Sequence, residues 1–381
     1  MKINKYKIKG LSMQSALFVM FYTSVIIGSL LLVFKFSLKY IDDAKIESFL
    51  MSDIESATNH ALVIDKPFIA DSIKINYNSY INYKSSYWGL FNYLYVSGKY
   101  SRFYKEKITI SSKCVRTTSL PNLFISDSRK YLSVCGDTYI SGNIYCPNAV
   151  VDRAYIEGEV YNKKQLYFGK LFESDDFKLN FLENKLKERI KYLLNLNKKP
   201  ILDYYFQSGD TIENSFSDET LVLHFPYGVE FSNVYLSGNI VVISEKYIQI
   251  DSSCNVENCI FIADKIIFKS KFQGMVQAFA KDSIIIEDDV TINMPSSFVL
   301  FGDSVGQINL GDKVNIEGNI IAIEKKVRSP KTLINIPENT KVKGIVYSNR
   351  SVDIKGKLNG SLICNSISLK TKSSNHLNTL L

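Results

Sequence analysis

The chain has 381 residues, 46% of them hydrophobic and 22% charged, with a formal net charge of +8. That length and apolar content suffice for two or three domains with a large core, which excludes a disordered chain. The positive charge comes from scattered lysines with no Lys/Arg-rich block, which argues against a nucleic-acid partner.

Residues 1–10 read as a basic cytoplasmic segment. Leu11 to Phe34 follows with 24 residues and no charge, enough at about 1.5 Å per residue to cross a hydrocarbon core of about 30 Å. It is predicted to be an uncleaved transmembrane helix, since neither the short apolar region nor the small-x-small site of a signal peptide is evident. Lys2, Lys5, Lys7 and Lys9 precede it against Lys35 and Lys39 after it. That bias places the N-terminus in the cytoplasm and the bulk of the chain outside it, which in a bacterial source means the inner (cytoplasmic) membrane with the bulk in the periplasm. Lys9-Gly10 followed at once by an apolar helix resembles the leader and spine of type IV pilins and pseudopilins. The resemblance implies leader processing at Gly10; the glutamate usual five residues later in that family is here Ser15.

From Phe36 the residues Tyr40, Ala44, Phe49, Ile54, Ala57 and Ala61 recur at spacings of three to five, so residues 35–66 are expected to form a stalk helix closed by Pro67. Its acids Asp42, Asp43, Glu47, Asp53 and Glu55 read as a solvated face. Residues 67–130 are tyrosine-rich, with polar residues between the aromatics, and are expected to form a small β subdomain. The aromatics there could also stack on sugar rings, which makes a glycan a candidate partner.

Residues 131–161 read as first β repeats, because Leu132, Val134, Thr138, Ile140 and Ile144 fall on even offsets. Residues 162–220 read as a helical insertion, with Ser174, Asp175 and Asp176 as capping residues. Its apolar stripe comprises Phe177, Phe181, Leu182, Leu186, Ile190, Leu193 and Leu194. The wording Leu132 to Gly142, Gly158-Glu159-Val160-Tyr161 and Leu166-Tyr167-Phe168-Gly169 resembles a group of membrane-anchored proteins of Bacteroidetes, which implies a lineage and no mechanism.

Residues 221–369 carry the main repeat. Ile248-Gln249-Ile250, Ile266-Ile267-Phe268, Ile284-Ile285-Ile286, Ile308-Asn309-Leu310, Ile334-Asn335-Ile336 and Val352-Asp353-Ile354 return at steps of 18, 18, 24, 26 and 18 residues. Apolar residues at even offsets have the period of a strand. An 18-residue pitch is too short for a βαβ unit, so the fold class expected is mainly β, a right-handed parallel β-helix (solenoid). Gly-x-[Ile/Val/Leu], as in Gly142-Asn143-Ile144, Gly238-Asn239-Ile240, Gly344-Ile345-Val346 and Gly360-Ser361-Leu362, punctuates it. These glycine-marked rungs resemble the bactofilin, or polymer-forming cytoskeletal, repeat. The resemblance implies a right-handed β-helix that assembles end to end.

Residues 370–381 read as a polar tail too weak to cap the last rung. Val352, Ile354, Leu358 and Leu362 are therefore expected at a self-association edge. Of six cysteines, Cys254, Cys364 and Cys114 are expected on inward positions, and Cys135 with Cys146 is the candidate disulfide. The histidines His60, His224 and His376 have no zinc spacing. Glu287, Asp288 and Asp289, the densest acidic run, fall at a turn. The sequence reading assigns no catalytic, cofactor or metal residue. It gives a non-enzymatic, membrane-anchored, extracytoplasmic component of the cell envelope that self-associates or binds envelope proteins. The alternatives are a pseudopilin-like secretion or pilus subunit, and a β-helical protein that binds or degrades polysaccharide.

Overall fold

The computed structural model describes residues 6–64, 70–76, 79–111, 120–127, 129–174, 182, 184–196, 208–303, 306–325 and 332–381. It divides into two compact units, Met1–Ser86 with Leu94–Thr109, and Tyr87–Tyr93 with Ile110–Leu381.

In the first unit, the segments expected to form a transmembrane helix and a stalk are one helix, α1 (Tyr6–Ile64), which contains Gly10. Its N-terminal part is long and apolar enough to cross a membrane, and side chains such as Leu17, Phe21 and Leu31 are exposed on it. The hydroxyls of Thr23, Ser24 and Ser29 donate to carbonyls one turn back, so these polar groups are satisfied within the helix. Farther on, Leu50, Ile54 and Ala57 are buried at helical spacing. They pack on Ile81, Tyr83, Leu94 and Val96 of an antiparallel sheet, β1 (Ala70–Asn76), β2 (Ser79–Trp88), β3 (Phe91–Tyr100) and β4 (Phe103–Ser111). Tyr40 and Phe49, expected on that stripe, are exposed instead; the packed seam begins at Leu50. Of the helix acids, Asp43, Glu47 and Glu55 meet Arg102, Lys105 and Lys107 of β4. These are exposed pairs worth little each.

The second unit is dominated by one large parallel sheet. Each recurring line lies opposite the next, in register: Ile248 with Ile266, Ile284, Ile308, Ile334 and Val352 in turn. All six side chains are fully buried. A second inward column runs Phe261, Ala278, Phe298, Ile320, Val346, Leu362. The small Ala278 between two phenylalanines keeps that column close-packed.

Three early strands join this sheet beyond its last repeat: β5 (Leu123–Ile125), β7 (Ser141–Cys146) and β11 (Phe168–Glu173). Between them, β6 (Leu132–Val134) and β8 (Val151–Arg153) form a separate small parallel sheet with Thr379–Leu380, and β9 (Tyr155–Ile156) and β10 (Glu159–Val160) form a hairpin. Leu362 pairs with Leu123, Leu123 with Ile144, and Ile144 with Leu171. After β11 the chain forms α2 (Asn184–Leu194) and restarts at the opposite limit of the sheet with β12 (Thr211–Asn214), β13 (Leu221–Phe225) and β14 (Val229–Phe231). The stretch 162–220 is thus not helical throughout. It has strands at both ends, because those backbone groups complete the ladder. The stretch 370–381 is likewise paired: Asn375–Leu377 lies antiparallel to Ser368–Lys370, and Thr379–Leu380 lies parallel to β6. Of the expected stripe, Leu182, Leu186, Ile190, Leu193 and Leu194 are buried, while Asp175, Asp176, Phe177 and Phe181 lie outside the described residues.

Candidate functional site

The acidic run is occupied by turn chemistry. Lys269 Nζ donates to Glu287 Oε1 at 2.9 Å, and Ser270 donates to Oε2 through both its N–H and its hydroxyl. Partial burial works against the Glu287 carboxylate but is outweighed by those donors, so its pKa lies below the ordinary value. Asp288 Oδ1 accepts the backbone N–H of Asp312 at 2.7 Å, and Asp289 is in the left-handed region with φ 59°. Asp251, one repeat before Lys269, is held low by the N–H and hydroxyl of Ser253.

The sequence reading missed that the outer face of the sheet is also apolar. Opposite residues there run Ile243, Ile262, Phe279, Val299, Ile321, Tyr347, Ile363, Phe124, Tyr145 and Phe172. Unbroken apolar runs such as Ile240 to Ile243 and Phe298 to Phe301 signal strands buried on both faces. Over the middle repeats this column is covered by Leu186, Ile190 and Leu193 of α2 and by Trp88, Leu90 and Phe216. Gln277, 3% exposed, locks the turn carrying Trp88: its Oε1 accepts from Leu90 N–H at 2.8 Å and its Nε2 donates to Trp88 O at 3.0 Å. Trp88 Nε1 donates to Asn258 O at 2.9 Å. His224 begins the same column opposite Ile243, its Nε2 3.7 Å from Glu245 Oε1, beyond hydrogen-bond length.

Two site expectations are corrected. Cys135 and Cys146 are both buried free thiols in separate clusters, Cys135 with Ile156 and Leu369, Cys146 in the main core. Their sulfurs donate to different carbonyls, Leu380 O and Val150 O. Burial pushes the Cys146 thiol up to about 11 and Cys259 and Cys364 well above the ordinary range. Cys254 is buried and free as well, and Cys114 lies outside the described residues.

Val352, Ile354, Leu358 and Leu362 do not form an association edge. Lys341–Ile354 is paired on both sides, and Lys357–Lys370 pairs with β5. Leu362 N–H donates to Asn122 O at 2.9 Å, and Ser126 and Asp127 donate to Cys364 O and Asn365 O. The early repeats cover the surface that a weak tail would have left open.

The sheet instead runs out at β11, whose strand register among the described residues is with β7 alone. Phe168 N–H goes to Ile140 O and Ser174 N–H to Cys146 O. Since the polar groups of successive residues alternate sides in a parallel strand, Gly169, Leu171 and Glu173 direct theirs to the free side. The rings beside it are half-covered: Phe172 stacks on Tyr145 at 4.8 Å and Phe168 lies tilted against Tyr139 at 5.1 Å. Phe168 is 41% and Phe172 37% exposed. No family model, curated protein or solved structure matches the chain.

Proposed function

We propose that this is a single-pass membrane protein, N-terminus in the cytoplasm, whose parallel sheet coils as a right-handed β-helix. It serves outside the cytoplasm as a non-enzymatic structural or assembly component of the cell envelope. One observation carries the reading: a long, exposed apolar helix belongs to the same chain as a sheet whose repeats pair in register from Leu223 to Leu171. Such a stack presents a long rigid surface and uses its charges in turns, as Glu287 and Asp288 illustrate. The lysine asymmetry around residues 11–34 supports the orientation. Protease added to intact spheroplasts tests it. Digestion beyond Phe34 is expected, and full protection of those residues rules out the extracytoplasmic placement.

A further inference from the structure

Glu173 breaks the column it ends. Its position opposite Cys146 belongs to an inward line that elsewhere holds Leu300, Ala322, Ser348, Cys364 and Ile125. Glu173 is exposed there, on the same face of β11 as Leu171, which packs against the main core, and the N–H groups of both lie on the unpaired side. Beside them Ser174 Oγ, on a residue 7% exposed, has no hydrogen-bond partner.

We propose that β11 accepts an extended segment of a partner protein as one more parallel strand, with an aliphatic residue opposite Leu171, a basic residue opposite Glu173 and aromatics continuing the Tyr145–Phe172 stack. The added strand would satisfy the outward groups of Gly169, Leu171 and Glu173 and neutralise the one charge in the column. A second copy fits less well in either arrangement. About a two-fold axis β11 would meet itself antiparallel, and keeping core face on core face pairs odd residues with odd ones. Glu173 then never stands opposite Lys170. Head to tail, the line of Glu173 would continue into Phe225, which ends it at the other limit, again without a cation. This deepens the scaffold reading, on which it rests, by naming what the scaffold holds.

The test uses the full chain in detergent micelles, so it does not depend on which side of a membrane the sheet occupies. The probe is the fluorescent capped hexapeptide Tyr-Thr-Glu-Val-Tyr-Arg, laid parallel to Phe168–Glu173, with anisotropy as the readout. Saturable binding is expected, weakened about tenfold by the charge reversal Glu173→Lys and recovered when the peptide's Arg is replaced by Glu. Absence of saturable binding would mean that Glu173 instead blunts the edge against pairing. Binding indifferent to Glu173→Lys would overturn the register. A dimer in sedimentation that the peptide dissociates would make the occupant a second copy.

Discussion

Ser126 Oγ donates to Asn365 Oδ1 at 2.9 Å across 239 residues of chain. The bond sits on the seam where β5 meets the last long strand, and the same in-register parallel pairing continues through it. The seam is therefore expected to behave as interior sheet. Leu123→Asp, at a 4% exposed inward position, should destabilise by about 3 kcal/mol or more, as should Ile286→Asp in the middle repeats. Asp288→Ala should cost about 1 kcal/mol through its hydrogen bond to Asp312. Thermal unfolding checks this: a Leu123→Asp protein with unchanged midpoint would mean that the early repeats do not unfold with the rest.

The inward columns were legible because Ile-x-Ile with polar neighbours has the period of a strand and recurs at nearly constant pitch. The seam was not. Nothing local in Asn122 to Asp127 announces a pairing with Leu362 to Asn365, and its register emerges only once the whole stack exists. The apolar outer face was equally hidden, because runs such as Ile240 to Ile243 satisfy the even columns while their odd members wait for a cover supplied by Trp88 and α2. For Cys135, nearness in sequence to Cys146 suggested a bridge that the two separate clusters exclude.

Asp353 sits opposite Asn335 in the outer column, 8% exposed and with Oδ1 unpartnered. Burial raises its pKa, only partly offset by Lys355 and Lys370. The native state thus holds a proton over a pH range where the unfolded chain, with an aspartate near about 4, has lost it. Stability should fall as pH rises from that value through the folded pKa, and then level off. Asp353→Asn extends the amide line of Asn309 and Asn335 and removes the penalty. It should stabilise by about 1 kcal/mol at neutral pH, with the gain vanishing in acid. A variant gain that is the same at both pH values would contradict the assignment.

Gly344 and Gly360 stack as closely as backbone permits. A Cβ on Gly344, at φ +150°, would lie 2.0 Å from Gly318 O. Gly344→Ala should therefore cost about 3 kcal/mol or more, from contact and conformation together. Gly158, at φ +95° with nothing within 4 Å of its Cβ, isolates the conformational part, and Gly158→Ala should cost about 1 kcal/mol. Denaturant midpoints of the two variants would coincide if backbone approach played no part.

Gln277 offers the most local test, because the chain has a single tryptophan, Trp88, and Gln277 holds its turn. Gln277→Leu keeps the volume roughly constant but leaves Leu90 N–H and Trp88 O without the amide that bonds both. Losing both amide bonds should cost about 2 to 3 kcal/mol. Gly89, at φ +58° and pressed against the Gln277 side chain, gives the turn little room to relax. The loss should fall on the cover before the sheet, since the inward columns beneath Gln277 are untouched. Trp88 emission should shift to the red and its quenching by acrylamide should rise, while the β-sheet circular dichroism of the native protein persists. If Trp88 stays as protected in Gln277→Leu as in the parent protein, the amide is incidental, and packing on Phe216, 5.1 Å between ring centres, holds the turn by itself.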